Sequence, residues 1–487
     1  MSPKDANAKP VETLTPDLCI LGGGSAGLSV AAGAVQMGAS VLLIEGGKMG
    51  GDCLNYGCVP SKALLAAGKA AHAMTHGAPF GVTPVRPEVD FGKVKDHVQA
   101  VIDGIAPHDS VERFESLGVT VLQGWGKFVS PDEVEVATEA GPRRVRARRF
   151  VIATGSRAWT PPIPGLADVP FFTNETIFEL RDKPEHLLIL GGGPIGMEMA
   201  QAHRRLGCEV TVIEAARALG RDDPEIAEIA LGRLRAEGID IVEGAPVAAA
   251  ALTAEGGVAL ETKDGRRFEG SHLLVAAGRR AAVDGLDLAA GGVERHAGGV
   301  KADRGLRSVS NRKVYVAGDA AGDLQFTHVA GWHAGLVIRS ALFRMPVAAD
   351  TRAIPWATYM DPEIAQVGLT EAEARTAHGD KVEVLRFKYD ENDRARAELA
   401  TDGLIKVIVV KGRPVGASIV GRHAGELISL WSLAISAKLK IGAVAGFVAP
   451  YPTYSELSKR AAGQYYVPRL FKSGFVKTLV GLLARLG

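Results

Sequence analysis

Two of the four cysteines in this 487-residue chain stand five positions apart, in Gly50-Gly51-Asp52-Cys53-Leu54-Asn55-Tyr56-Gly57-Cys58-Val59-Pro60-Ser61-Lys62, with a lysine shortly after the second. So few cysteines cannot form a structural disulfide framework, and in a reducing compartment a close pair is catalytic or metal-binding. Structural zinc is disfavoured, because Cys19 and Cys208 lie in apolar segments with no second ligand pair beside them. The remaining chemistry is that of a dithiol exchanging electrons with a cofactor. On an ideal helix, positions five apart stand about 140° around the axis, so Cys53 and Cys58 can bond only where the helix is interrupted. Gly57 supplies that freedom. Pro60 fits only the first turn of a helix, which places Cys58 near a helix start, where the dipole favours a thiolate.

The elements that would position such a pair are written twice. Residues 17–45 read as an apolar strand (Leu18 to Leu21), then Gly22-Gly23-Gly24-Ser25-Ala26-Gly27, an alanine-rich helix, and a second strand from Val41 ending at Glu45. Residues 186–214 repeat the βαβ pattern, with Leu187 to Leu190, Gly191-Gly192-Gly193-Pro194-Ile195-Gly196, a helix through Leu206, and Val210 to Ile213 ending at Glu214. From first glycine to acid the interval is 23 positions in both. Gly22 and Gly191 make the tight turn, Gly24 and Gly193 let backbone approach a pyrophosphate, and Gly27 and Gly196 let helix pack on strand. The helix start holds the phosphates and the glutamate accepts from a ribose diol. Two nucleotides therefore need placing. Strands ending in small-residue turns follow at Phe150 to Ser156 (with Thr154 and Gly155), at Leu273 to Arg279, and at Val314 to Ala320. In the last of these Asp319 can hydrogen-bond a polyol or cap the helix that begins soon after.

Composition narrows the class. With 47% hydrophobic residues the chain can bury several cores, and 56 Lys+Arg against 55 Asp+Glu imply no acidic polymer as partner, hence no nucleic acid. The stretch from Met1 to Asp17 is polar and proline-punctuated, without the apolar core of a secretory signal, so a cytoplasmic location is expected.

With these motifs in this order, the chain resembles the pyridine nucleotide disulfide oxidoreductase family, which includes dihydrolipoamide dehydrogenase, glutathione reductase and mercuric reductase. The resemblance runs from about Asp17 to about Gly463. It implies an α/β fold with two Rossmann-like dinucleotide-binding domains, for FAD and NAD(P), and a carboxyl-terminal α+β dimerisation domain. The FAD domain is expected at 17–156 and 285–345, the NAD(P) domain at 157–284, the dimerisation domain at 351–466, and a basic amphipathic tail at 467–487. By resemblance Gly22, Gly24, Gly27 and Glu45 hold the adenosine half of FAD, with Thr154, Gly155, Asp319 and Lys62 supporting the flavin. Gly191, Gly193, Gly196 and Glu214 hold the nicotinamide nucleotide. A carboxylate at 214 favours a free ribose 2′-hydroxyl, hence NADH, while Arg217 and Arg221 leave NADPH possible. The cysteine matching Cys58 lies against the flavin and the one matching Cys53 exchanges with substrate. Lys62, partnered by Glu198, stands near the flavin's reactive nitrogen.

The departure lies near the carboxyl end. Where disulfide reductases carry His-Pro-Thr-x-Ser-Glu, this chain has Tyr451-Pro452-Thr453-Tyr454-Ser455-Glu456. The family histidine, held by the glutamate matching Glu456, moves a proton to the exchanging thiol. A tyrosine, with a reference pKa near 10, is no efficient base at neutral pH. Tyrosine here is similar to mercuric reductase, yet no cysteine follows Cys208 to form that enzyme's carboxyl-terminal pair, and no amino-terminal metal-binding domain is expected. Tyr451 can also be a packing aromatic without a chemical role. His328 and His333 lie on an apolar helical stretch, His328 being the better substitute proton carrier. From Val467 to Leu486 apolar residues recur at helical spacing among Arg469, Lys472, Lys477 and Arg485, with no acid after Glu456. Such a helix packs on its own dimer in preference to a membrane surface.

The expected function is transfer of electrons from NAD(P)H through FAD to a Cys53–Cys58 disulfide, and on to a small-molecule disulfide or a soft metal species, in a homodimer with no resident metal. The alternatives are an NADH diaphorase reducing quinones, a mercuric-type metal reductase, and, outside enzymes, a redox-sensing interaction module.

Overall fold

The computed structural model describes residues 13–322 and 324–485. The chain forms two compact units, one of residues 1–184 with 272–349 and the other of 185–271 with 350–487.

The first unit is built on a five-stranded parallel sheet in the order Val314–Val316, Arg149–Ile152, Leu18–Leu21, Val41–Glu45, Thr120–Gln123. Leu18–Leu21 is buried along its whole length, as a central parallel strand covered on both faces must be. Alternate residues serve opposite cores. Leu18, Ile20 and Leu43 pack with Leu28, Val30 and Val337 of the helices Ser25–Gln36 and Thr327–Ala341. Cys19, Leu21 and Ile44 pack with Phe128, Val134 and Val145 from a second, four-stranded sheet. Cys19 is thus a core residue, and burial pushes its thiol pKa well up.

In the second unit the strands His186–Leu190, Glu209–Ile213 and Asp240–Val242 run parallel. The helix Pro194–Arg205 crosses between the first two, and the helix Pro224–Ala236 follows the second. Further on, Pro355–Thr358, Glu363–Gly368, Arg413–Gly421, Leu404–Val410 and Val382–Lys388 form an antiparallel sheet in that order. The helices Ala424–Ser436 and Ser455–Gly463 cover it, with Trp431 fully buried between. The two parts of this unit share an ion cluster: Lys406 Nζ lies 2.9 Å from Asp223, 3.0 Å from Glu225 and 2.8 Å from Glu371.

The carboxyl tail is two pieces. A π-helical turn at Val467–Phe471 is pinned by Arg469, which bonds Glu383 at 2.8 Å and lies over the Tyr465 ring. The hydroxyl of Ser473 then accepts the Val476 N–H and starts a new helix, Gly474–Leu483. Phe471, Phe475, Val480 and Leu483 are exposed on the chain, and Leu486 lies outside the described residues. No described helix is long and apolar enough to cross a membrane.

Candidate active site

The cysteine segment begins where the first βαβ unit ends. Beyond Glu45, Gly50 and Gly51 take left-handed backbone (φ +85° and +60°), and the short helix Gly51–Asn55 carries Cys53. The chain turns at Gly57, where a Cβ would approach Asp52 Oδ2 to 2.9 Å and the Asp52 carbonyl oxygen to 3.0 Å. Cys58 is then the first residue of the helix Cys58–Thr75, with Pro60 inside its opening turn, as Gly57 and Pro60 lead one to expect. The two cysteines are thiols in hydrogen-bond contact; that bond, and then burial, push the Cys53 pKa far up. Cys58 is exposed and Cys53 half-buried. Thr327, the first residue of its helix, places its hydroxyl 3.5 Å from Cys58 Sγ. Lys62 follows Cys58 by about one turn, half-buried, with Nζ 3.4 Å from Ser61 Oγ.

Around the pair runs a polar network that the sequence motifs do not announce. Asp52 Oδ1 accepts from Asn174 Nδ2 at 3.0 Å and pairs with Arg279 Nη2 at 3.1 Å. Arg279 Nε donates to Ser156 Oγ at 2.7 Å, and that hydroxyl donates to Asp319 Oδ2 at 2.6 Å. Burial raises the Asp319 pKa, against the hydrogen bond from Ser156. Asp319 sits in a short 3-10 turn, Gly318–Ala321, and caps no helix with its side chain. His333 is buried and accepts the Gly318 N–H through Nδ1, whereas His328 is exposed and stacked on Phe326.

Both glycine motifs are shaped for a dinucleotide. Gly22 and Gly191 hold φ of +111° and +116°. A Cβ on Gly27 would lie 1.8 Å from the Gly22 carbonyl oxygen, and one on Gly196 2.0 Å from that of Gly191. At Gly24 a Cβ would meet only Gly51 Cα, at 3.6 Å, and at Gly193 nothing within 4 Å, so the space above each helix start is open. Neither helix start is capped by a side chain, which leaves amide donors for phosphate oxygens. Glu45 accepts from the N–H groups of Gly23 and Gly47 at 2.5 and 2.6 Å; Glu214 does the same with Gly192 and Ala216 at 2.7 and 2.8 Å. The buried hydroxyl of Thr154 has no partner in the protein, and Gly155 beside it is left-handed (φ +70°). An orphaned donor beside two helix starts with open space above them fits bound nucleotides.

Glu198, on the helix Pro194–Arg205, is buried and accepts the N–H of Tyr359 at 2.9 Å. Tyr451 is 68% exposed and donates to Asp393 Oδ2 at 2.9 Å, and that bond raises its pKa further. Glu456 lies in the first turn of Ser455–Gly463, half-buried. Among the described residues no cluster of three or more histidine, cysteine or acidic side chains could hold a metal ion.

A two-nucleotide frame with an adjacent thiol pair defines a flavin- and nicotinamide-dependent oxidoreductase, and the comparisons agree. Residues 16–334 match the family model described as pyridine nucleotide-disulphide oxidoreductase, and residues 354–462 match that family's dimerisation domain. The chain belongs to this family. It is similar to a mercuric reductase of Streptomyces lividans (36% identity, covering 92% of this chain and 95% of that protein). It is also similar to the dihydrolipoyl dehydrogenase of Bacillus subtilis (30% identity, 90% and 96%). Among solved structures, the Cu(II) complex of the HOCl-induced flavoprotein disulfide reductase RclA from Escherichia coli superposes with a TM-score of 0.83, at 26% identity over 92% of this chain and 99% of that one. The chain is an NAD(P)H-dependent flavoprotein oxidoreductase that uses FAD and a disulfide redox centre, and its dimerisation domain supports a homodimer.

Proposed function

We propose that Cys53 and Cys58 are the redox centre and that the acceptor is a soft metal species or a small disulfide reduced at Cys53. The observation that supports this most is the contact of the two thiols at the start of the Cys58 helix, in the same unit as the first glycine motif and Asp319. When bound, the flavin supplies the two-electron relay between the nicotinamide nucleotide and this pair. Gly22, Gly24, Gly27, Glu45, Thr154, Gly155 and Asp319 hold FAD, and Gly191, Gly193, Gly196 and Glu214 hold the nucleotide, with NADH preferred for want of a charge to receive a 2′-phosphate at Glu214. The helix start stabilises negative charge on Cys58, while Cys53 keeps its proton through the bond to Cys58. Lys62 adds positive charge on the same helix, and Glu198 orients it.

The domains divide at 17–156 with 285–345, 157–284 and 351–466, in a cytoplasmic homodimer where the partner subunit's Tyr451 faces Cys53. A phenol raised above its ordinary pKa is not the base that a disulfide substrate needs, and this favours the metal acceptor over the disulfide. Anaerobic NADH, one equivalent per flavin, is expected to expose two alkylatable thiols at Cys53 and Cys58 and a long-wavelength band missing from Cys58→Ser. Reduction without new thiols would sink the assignment and leave a diaphorase that passes electrons to quinones. Tyr451→His is expected to speed glutathione disulfide or lipoamide reduction at least tenfold over Tyr451→Phe. No gain with either would refute the proton-transfer argument.

A further inference from the structure

We propose that Asn174 and Arg279 clamp the segment between the two cysteines and so set how tightly the pair holds its disulfide; this rests on reading Cys53 and Cys58 as the redox centre. Asn174 is 7% exposed, and its amide nitrogen donates twice, to Asp52 Oδ1 at 3.0 Å and to the Tyr56 carbonyl at 3.2 Å. Those acceptors stand on either side of Cys53. Arg279 reaches the same carboxylate at 3.1 Å and is itself fixed on Ser156, through Nε on Oγ at 2.7 Å and Nη2 on the carbonyl at 3.0 Å. The other Asp52 oxygen lies against Gly57, the residue before Cys58. One carboxylate thus touches both ends of the turn between the sulfurs, and two residues more than a hundred positions away hold it there.

The energetic consequence follows from effective concentration. Joining two thiols releases two electrons and two protons, and with glutathione disulfide as oxidant these go to form two glutathione thiols. The equilibrium constant rises with the fraction of time the two sulfurs already stand in contact. The bonds within the segment, Tyr56 N–H to the Asp52 carbonyl and Asn55 Nδ2 to the Met49 and Gly51 carbonyls, stiffen it locally. Asn174 and Arg279 tie it to the body of the unit. Loosening the clamp therefore makes the disulfide easier to reduce, and each tenfold fall in the equilibrium constant moves the potential about 30 mV less negative.

The test equilibrates the FAD-loaded protein anaerobically with glutathione and its disulfide at neutral pH, quenches with acid, alkylates, and counts blocked thiols by mass. Asn174→Ala, which changes no charge, is expected to shift the half-oxidation point about tenfold. Asp52→Ala is expected to shift it at least as far, and Asp52→Asn, which keeps an acceptor for the Asn174 amide, by less. Should Asn174→Ala fail to fold, Asn174→Leu removes the donor at similar volume. Agreement of the Asn174 variant with the unaltered protein within twofold would overturn the clamp. So would a shift in Asp52→Ala alone, since the effect would then be one of charge. If the unaltered protein forms no Cys53–Cys58 disulfide in any buffer, the assignment of the redox centre fails instead.

Discussion

After Glu45 the chain passes through left-handed glycines into the helix that carries Cys53, whereas after Glu214 it runs to Asp223, the N-cap of Pro224–Ala236, and into the ion cluster around Lys406. Up to those acids the two βαβ units are near copies. Each first glycine is left-handed by more than 110°, each third glycine presses on the carbonyl of the first, and each glutamate receives two backbone N–H groups. The common part is what a strand, a tight turn and a helix packed at contact distance require. The divergence shows that a nucleotide frame carries no chemistry of its own: one copy leads to a reactive thiol pair and the other to an anchor.

The hardest test of that equivalence is to fill the third glycine in each copy. A methyl 1.8 Å or 2.0 Å from a carbonyl oxygen cannot be relieved by a side-chain rotation, so helix and strand must separate. Gly27→Ala is expected to purify with less than a tenth of the usual flavin per soluble chain. Gly196→Ala should keep its flavin and lose at least a hundredfold in the rate of flavin reduction by NADH. The same loss of flavin in both variants would show that the two copies do not serve separate nucleotides.

The anchor supplies the next effect. Asp223 and Lys406 have side chains 2% and 5% exposed, so removing the cation strands a buried carboxylate. Lys406→Met is expected to destabilise by roughly 3–5 kcal/mol, read as a lower urea midpoint, with flavin content preserved. The cysteine side carries a more exposed counterpart, Arg279 with Asp52 (14% and 35%), where loss of the ion pair should cost only about 1 kcal/mol. Equal losses on both sides would mean that the second continuation is no more an anchor than the first.

The parts that repeat were legible because their causes are local. Glycine spacing, the terminal acid and the apolar strands all fall within thirty residues, and Gly57 with Pro60 placed Cys58 at its helix start. Contacts between distant segments were not. Thr327 meets Cys58 across 269 positions, Asn174 meets Asp52 across 122, and Lys406 meets Asp223 across 183; no periodicity specifies such pairings. Asp319 was open between a polyol contact and a helix cap, and only the fold puts it on Ser156. In the tail a signal was present and passed over: Ser473 is a good N-cap residue inside an apolar repeat, and it divides what the spacing alone reads as one helix.

Asp222 gives the smallest effect, one with a sign that can be fixed in advance. It lies just before the N-cap of the second continuation, 6% exposed, and accepts from Trp356 Nε1 at 3.0 Å. Burial pushes its pKa up to about 6; the Trp356 bond and Arg221 oppose that, and Asp223 adds to it. A carboxyl whose pKa is higher folded than unfolded prefers to be neutral in the fold. Its favourable contribution is complete below pH 4 and is lost as pH rises through about 6. Asp222→Asn keeps an oxygen for Trp356 and cannot ionise, so it should match the unaltered protein near pH 4 and gain on it through pH 6. The two-unit shift corresponds to about 3 kcal/mol, and burying the amide's own donors takes back about 1 kcal/mol or more, leaving roughly 1–2 kcal/mol above pH 7. Unfolding midpoints at pH 4.5, 6 and 8 decide it. A constant offset between the two proteins across that range would mean that Asp222 is already ionised at the lowest pH, and that the anchor tolerates the charge as readily as the exposed acids do.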